Sequence, residues 1–76
     1  MNKLQQLRKN KNLSQNDLAN ITGLSKRQLQ HYEQGSCIID GAGLDKLVPL
    51  ALALECKISD ILEDSQLIEM CLKLGI

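Results

Sequence analysis

Residues Ser14 to Gly35, SQNDLANITGLSKRQLQHYEQG, decide how this chain folds. They read as two short helices joined by one tight turn. Leu13-Ser14-x-x-Asp17-Leu18 is a capping box. The Ser14 hydroxyl can accept from the Asp17 backbone N–H, the Asp17 carboxylate can reach back, and Leu13 packs on Leu18. Leu24-Ser25-x-x-Gln28-Leu29 repeats the arrangement. Between them Gly23 can take the left-handed conformation that closes the first of the two helices, and Gly35 ends the second. The spacing predicts helices over about Gln15–Thr22 and Lys26–Gln34.

Working outward, a helix from about Asn2 to Lys11 precedes this pair, with Leu4 and Leu7 inward and Asn12 as its C-cap. Ser36 to Gly43, SCIIDGAG, is a loop by its glycines, with Asp40 as the expected cap for the helix that follows. Leu44, Leu47, Leu50, Ala51 and Leu54 keep helical spacing. Pro49 falls inside that register, so the helix either kinks there or restarts with Pro49 in its first turn. The continuous register favours the kink. A short helix over about Ser59–Leu62 follows, then the tail SQLIEMCLKLGI, a helix capped by Ser65 and stopped near Gly75. On the tail Gln66, Glu69 and Lys73 share one face, while Leu67, Ile68, Met70, Cys71, Leu72 and Leu74 fill the rest. That stripe is wider than one packed face requires.

Seventy-six residues allow one small domain. With no Trp or Phe and a single Tyr, the core must be aliphatic. No apolar window reaches the length of a membrane span, and MNKLQQLRKN lacks the apolar centre of a signal peptide, so a cytoplasmic protein is expected. Cys37, Cys56 and Cys71 are widely spaced, and the one His, His31, lies in the second helix of the pair. Without close ligand pairs no metal site is expected, and the cysteines read as reduced thiols. Paired catalytic carboxylates, a nucleophile beside a base and a Gly-rich phosphate loop are all missing, so neither an enzyme nor a cofactor is expected.

Net charge is zero, but its distribution is not even. Up to Gly35 the six cations Lys3, Arg8, Lys9, Lys11, Lys26 and Arg27 face Asp17 and Glu33. From Ser36 onward Lys46, Lys57 and Lys73 face seven acids, Asp40, Asp45, Glu55, Asp60, Glu63, Asp64 and Glu69. A basic face attracts phosphate while the acidic end points away.

The chain resembles the helix-turn-helix domain of the phage repressor and Cro family, also called Xre-like. Carrying the resemblance are Ser14-Gln15, Leu18-Ala19, Gly23, Leu24, Leu29, Tyr32 and Glu33-x-Gly35, continued by Leu50-Ala51-x-x-Leu54 and Ile58-x-x-Ile61-Leu62. It covers roughly residues 3–63. Thr22 stands where an apolar residue is usual, Glu55 replaces a common Gly, and Pro49 interrupts the fourth helix. The resemblance implies an all-α, five-helix repressor-like bundle over residues 1–63, to which the tail, residues 64–76, adds a further helix. It also implies a bacterial or phage-type cytoplasmic setting.

The second helix of the pair is then the one that enters the major groove. With Leu29 facing the core, steps of about 100° put Arg27, His31 and Gln34 outward, with Gln28 and Gln30 beside them. Arginine pairs bidentately with guanine, and glutamine with adenine. The resemblance places base contacts at Lys26, Arg27, Gln28, Gln30 and His31, and backbone or end contacts at Ser14, Gln15, Lys11, Gln34 and Ser36. It also pairs Glu33 with Arg8; the alternative is an ordinary surface acid.

The function expected is a sequence-specific transcriptional regulator, read as a repressor, that binds double-stranded DNA as a homodimer on a palindromic operator. Its interface would use Val48, Leu52, Ile68, Met70, Cys71 and Leu72, unless the tail only closes the chain's own core. The alternative function is a protein-interaction module or antitoxin on the same fold, its apolar tail docked on a partner protein.

Overall fold

The computed structural model of the chain describes residues 2–76. Among them are six α-helices: α1 (Lys3–Asn10), α2 (Gln15–Thr22), α3 (Lys26–Gln34), α4 (Leu44–Leu54), α5 (Ile58–Ile61) and α6 (Ser65–Leu74). One 3₁₀ turn lies at Ile39–Gly41, and the described residues contain no strand. The chain is thus the all-α repressor-like bundle with an added C-terminal helix.

Helices this short are marginal alone, so their ends matter. Asn2 opens α1 by accepting from the Gln5 N–H at 2.9 Å. At α2 the box is complete: the Asp17 N–H donates to Ser14 Oγ and the Ser14 N–H to the Asp17 carboxylate, each at 3.0 Å. At α3 the repeat is only half made. The Gln28 N–H donates to Ser25 Oγ at 3.0 Å, but the Gln28 side chain does not return to Ser25. A neutral amide gains less than a carboxylate at a helix N-terminus, so Gln28 stays free for the outer face. Gly23 and Gly35 close α2 and α3 at φ 78° and 82°.

Several ends depart from the sequence expectation. The first helix stops at Asn10 with Lys11 as its C-cap, and Asn12 takes the left-handed conformation just beyond, at φ 58°. α5 starts one residue early because the Asp60 carboxylate accepts from the Lys57 N–H at 3.0 Å. Ser65 is the first helical residue of α6 and not its cap. Asp64 takes that role, accepting from the N–H groups of Gln66 and Leu67 at 2.8 and 3.3 Å. Nor does Asp40 cap α4, which begins after Gly43 with no side-chain cap. Held in the 3₁₀ turn, the Asp40 carboxylate accepts instead from the N–H groups of Glu63 and Asp64, at 2.8 and 3.1 Å.

α4 runs unbroken through Pro49, so it does not restart there. Proline leaves the Asp45 carbonyl without its helical donor. The loss is offset by Leu47, Leu50, Ala51 and Leu54, all buried on one side.

The core joins α1 to α5 through Leu4, Leu18, Leu29, Tyr32, Ile39, Leu47, Leu50, Leu54, Ile61 and Leu62. Truncating one such leucine to alanine costs about 2–5 kcal/mol. α6 contributes no fully buried residue; Ile68 and Cys71 lean on the core from outside. The segment leading into it is tied to α1. The Lys3 ammonium donates to the carbonyls of Ser59 and Leu62 at 3.3 and 2.7 Å, and the Lys3 N–H to the Glu63 carboxylate at 3.2 Å.

Candidate nucleic-acid interface

The turn between α2 and α3 fixes how α3 is presented. Thr22, in the position where an apolar residue is usual, donates its hydroxyl proton to the Leu18 carbonyl at 2.7 Å and accepts from the Leu24 N–H at 3.3 Å. Its polar group is therefore used up inside the turn. At the other end of α3, the Asn2 amide donates to the Tyr32 carbonyl at 2.7 Å.

Glu33 is buried, and an isolated carboxylate there would be costly. Arg8 meets it with two bonds, Nε to Oε2 at 2.7 Å and Nη2 to Oε1 at 3.0 Å. The third guanidinium arm donates from Nη1 to the Leu13 carbonyl at 2.8 Å. Bonding to Glu33 is the main reason the guanidinium is held further into its charged form than usual. The pair locks α1, the entry to α2 and α3 into one geometry. Breaking such a pair by removing one partner costs far more than the pair contributes over an apolar replacement.

The network continues outward. Gln15, the first residue of α2, donates from Nε2 to Glu33 Oε1 at 3.2 Å. Gln30 donates from Nε2 to Gln15 Oε1 at 3.3 Å. Two residues named separately by sequence, one for backbone contact and one for base contact, are thus joined to each other and to the buried ion pair. No periodicity signals this, because each bond crosses between helices.

Of the expected base readers, Lys26 and Arg27 are exposed at the N-terminal end of α3, while Gln28, Gln30 and His31 are half-buried. Among the expected backbone contacts, Ser14, Gln34 and Ser36 are exposed and Gln15 half-buried. The Ser14 hydroxyl is already engaged as a cap. Lys11 is exposed, and its ammonium pairs with Glu55 at the end of α4. That pair depresses the Glu55 pKa through the hydrogen bond from Lys11. Glu55 holds φ 53°, the left-handed backbone that explains why a Gly is common there.

The six residues named for a dimer contact differ in exposure. Val48 and Leu52 stand out from α4 and line an open groove of about 650 Å³ with Ala51, Cys56 and Ile58. Met70 and Leu72 are exposed on α6. Ile68 and Cys71 face the chain's own core. Burial pushes the Cys56 thiol pKa up. The described residues hold no cluster of three or more His, Cys, Asp or Glu able to grip a metal ion.

A family model described as Helix-turn-helix matches residues 4–61. The chain belongs to this family, the Cro/C1-type, Xre-like helix-turn-helix proteins. Membership makes it a DNA-binding transcription regulator. No curated protein and no solved structure matches the chain. No helix among the described residues is long and apolar enough to cross a membrane.

Proposed function

We propose that the chain is a sequence-specific repressor that binds a palindromic operator as a homodimer. Residues 1–63 read the DNA, and residues 64–76, with the outer side of α4, supply the contact between copies. The observation that carries this reading is the N-terminal end of α3. Lys26 and Arg27 project freely there from a helix anchored behind by the buried Arg8–Glu33 pair. Exposed cations at a helix start that fits the major groove meet guanine edges, and the half-buried Gln28, Gln30 and His31 extend the reading surface.

One reader helix touches too few bases to select a site within a genome, which favours a pair of them. Repression rests on the likeness to phage repressors. A reading as a protein-docking module draws on Met70, Leu72 and Leu74, exposed along α6.

Selection of bound duplexes from a random pool, with light scattering of the same sample, tests the proposal. Expected are a dimer at tens of micromolar, an enriched two-fold symmetric sequence, and lower output from a promoter that carries it. Leu52→Glu charges a residue that is 79 % exposed and leaves the core intact. It should yield a folded monomer with weak operator affinity. A monomeric wild-type chain, or a pool without enrichment, overturns the reading.

A further inference from the structure

We infer that Gln30 reads adenine, and that Glu33 fixes this choice through Gln15. The inference rests on the DNA-reading role proposed above and adds to it a residue that sets polarity without touching a base.

The argument turns on which atoms can donate. Both oxygens of Glu33 accept from the Arg8 guanidinium, so Oε1 faces Gln15 as an acceptor. Gln15 must therefore turn its NH₂ toward Glu33, as it does at 3.2 Å. Its carbonyl oxygen then faces away, and Gln30 must offer an N–H to it, as it does at 3.3 Å. One buried charge dictates both orientations. The two bonds are long for N–H···O bonds, so their effect is on orientation more than on stability.

What Gln30 has left is one N–H and the carbonyl Oε1. In the major groove adenine offers N7 as an acceptor and N6 as a donor, the complement of that pair. Guanine offers two acceptors, N7 and O6, so Oε1 would face O6. A flip of the Gln30 amide to suit guanine would set Oε1 of Gln30 against Oε1 of Gln15. With the relay intact, guanine meets an acceptor either at O6 or at Gln15. Placement agrees with this role: Gln30 lies one helical turn beyond Lys26, on the side of α3 that meets the start of α2.

The experiment has a DNA-bound arm and a DNA-free arm. In the first, each adenine of the selected operator is replaced in turn by guanine or by 7-deazaadenine, which lacks the N7 acceptor. Wild type should lose roughly tenfold or more affinity at one adenine for either replacement. Gln30→Ala should abolish that difference. Gln15→Met keeps the length and the Arg8–Glu33 pair but removes the relay, and should cut the adenine-over-guanine preference to about twofold. In the second arm, side-chain amide NMR of the free protein should show the Gln30 NH₂ signals shifted by Gln15→Met, with the backbone spectrum retained. A Gln15→Met variant that weakens all duplexes equally and keeps the preference overturns the relay, leaving Gln15 a phosphate contact. A Gln30→Ala variant with the wild-type preference overturns the adenine reading. Wild type without any sequence preference would overturn the repressor reading itself, and the amide spectra would still decide the relay.

Discussion

The carboxylate of Asp40 accepts from the backbone N–H of Glu63 at 2.8 Å, across twenty-three positions of sequence. It spans from the loop after α3 to the base of α6, and it takes the Asp64 N–H as well. Asp40→Ala leaves both donors without this partner. A loss of about 0.5–2 kcal/mol is expected, by analogy with a deleted helix cap. In a domain of this size that lowers the Tm by several degrees. Thermal unfolding followed by circular dichroism checks it, and an unchanged Tm would show that the bond holds nothing.

Arg8→Met strands the Glu33 carboxylate in the core and should cost about 3–5 kcal/mol. Arg8→Met combined with Glu33→Leu replaces both charges by apolar groups and should recover most of that loss. Urea unfolding of the two single variants and the double variant gives the coupling. If the losses simply add, the pair is not the unit described above.

Arg27 and Lys11 should separate by role. Arg27→Ala is expected to cost about 1–3 kcal/mol on the selected operator and to relax specificity at one base pair. Lys11→Ala should weaken operator and random duplex about equally, because an exposed pair with Glu55 leaves the ammonium able to exchange to phosphate. Paired titrations on operator and random duplex measure both. An equal loss for Arg27→Ala on the two duplexes removes it as a base reader.

A Cβ added at Gly23 would meet nothing within 4 Å, so only its backbone conformation restricts substitution. At φ 78° a β-branched residue is strained. Gly23→Val should therefore lose about 1–3 kcal/mol, and Gly23→Ala should lose less. Equal urea midpoints for Gly23→Val and wild type would contradict the strain.

Acid should weaken the fold through Asp17. Its carboxyl lies below the usual pKa, chiefly because the Ser14 N–H bonds its charged form and secondarily through the Ser14 hydroxyl. As pH falls, the unfolded chain therefore takes up this proton first. The stabilisation is complete at neutral pH and is lost as pH drops through the carboxylate range toward the folded pKa. Glu55, lowered by Lys11, acts in the same sense. Both groups are exposed, so added salt should shrink the Glu55 part most. Urea midpoints of wild type and Asp17→Asn between about pH 7 and 3 test this, the variant giving the flatter curve.

Local chemistry made the helix pair legible. Ser14 with Asp17, Gly23 and Gly35 are signals carried by residues a few positions apart, and all of them act at the helix ends where they were read. The apolar register carried α4 through Pro49 for the same reason. Asp40 departs from the sequence expectation because the turn aims its carboxylate at residues far along the chain and not at the nearest helix start. The engagement of Lys11 by Glu55 and of Gln30 by Gln15 is equally non-local, and so had no sequence signature. Charge counting marks Lys11 as basic, but not that it pairs with Glu55.

Tyr32 is the only aromatic residue of the chain, and it lies buried near the end of α3. The chain therefore carries one intrinsic fluorophore, seated where α3 meets the core. With no tryptophan to drain or mask it, its emission reports on that junction alone. Melting, or any rocking of α3 when DNA arrives, can be followed by light without a label.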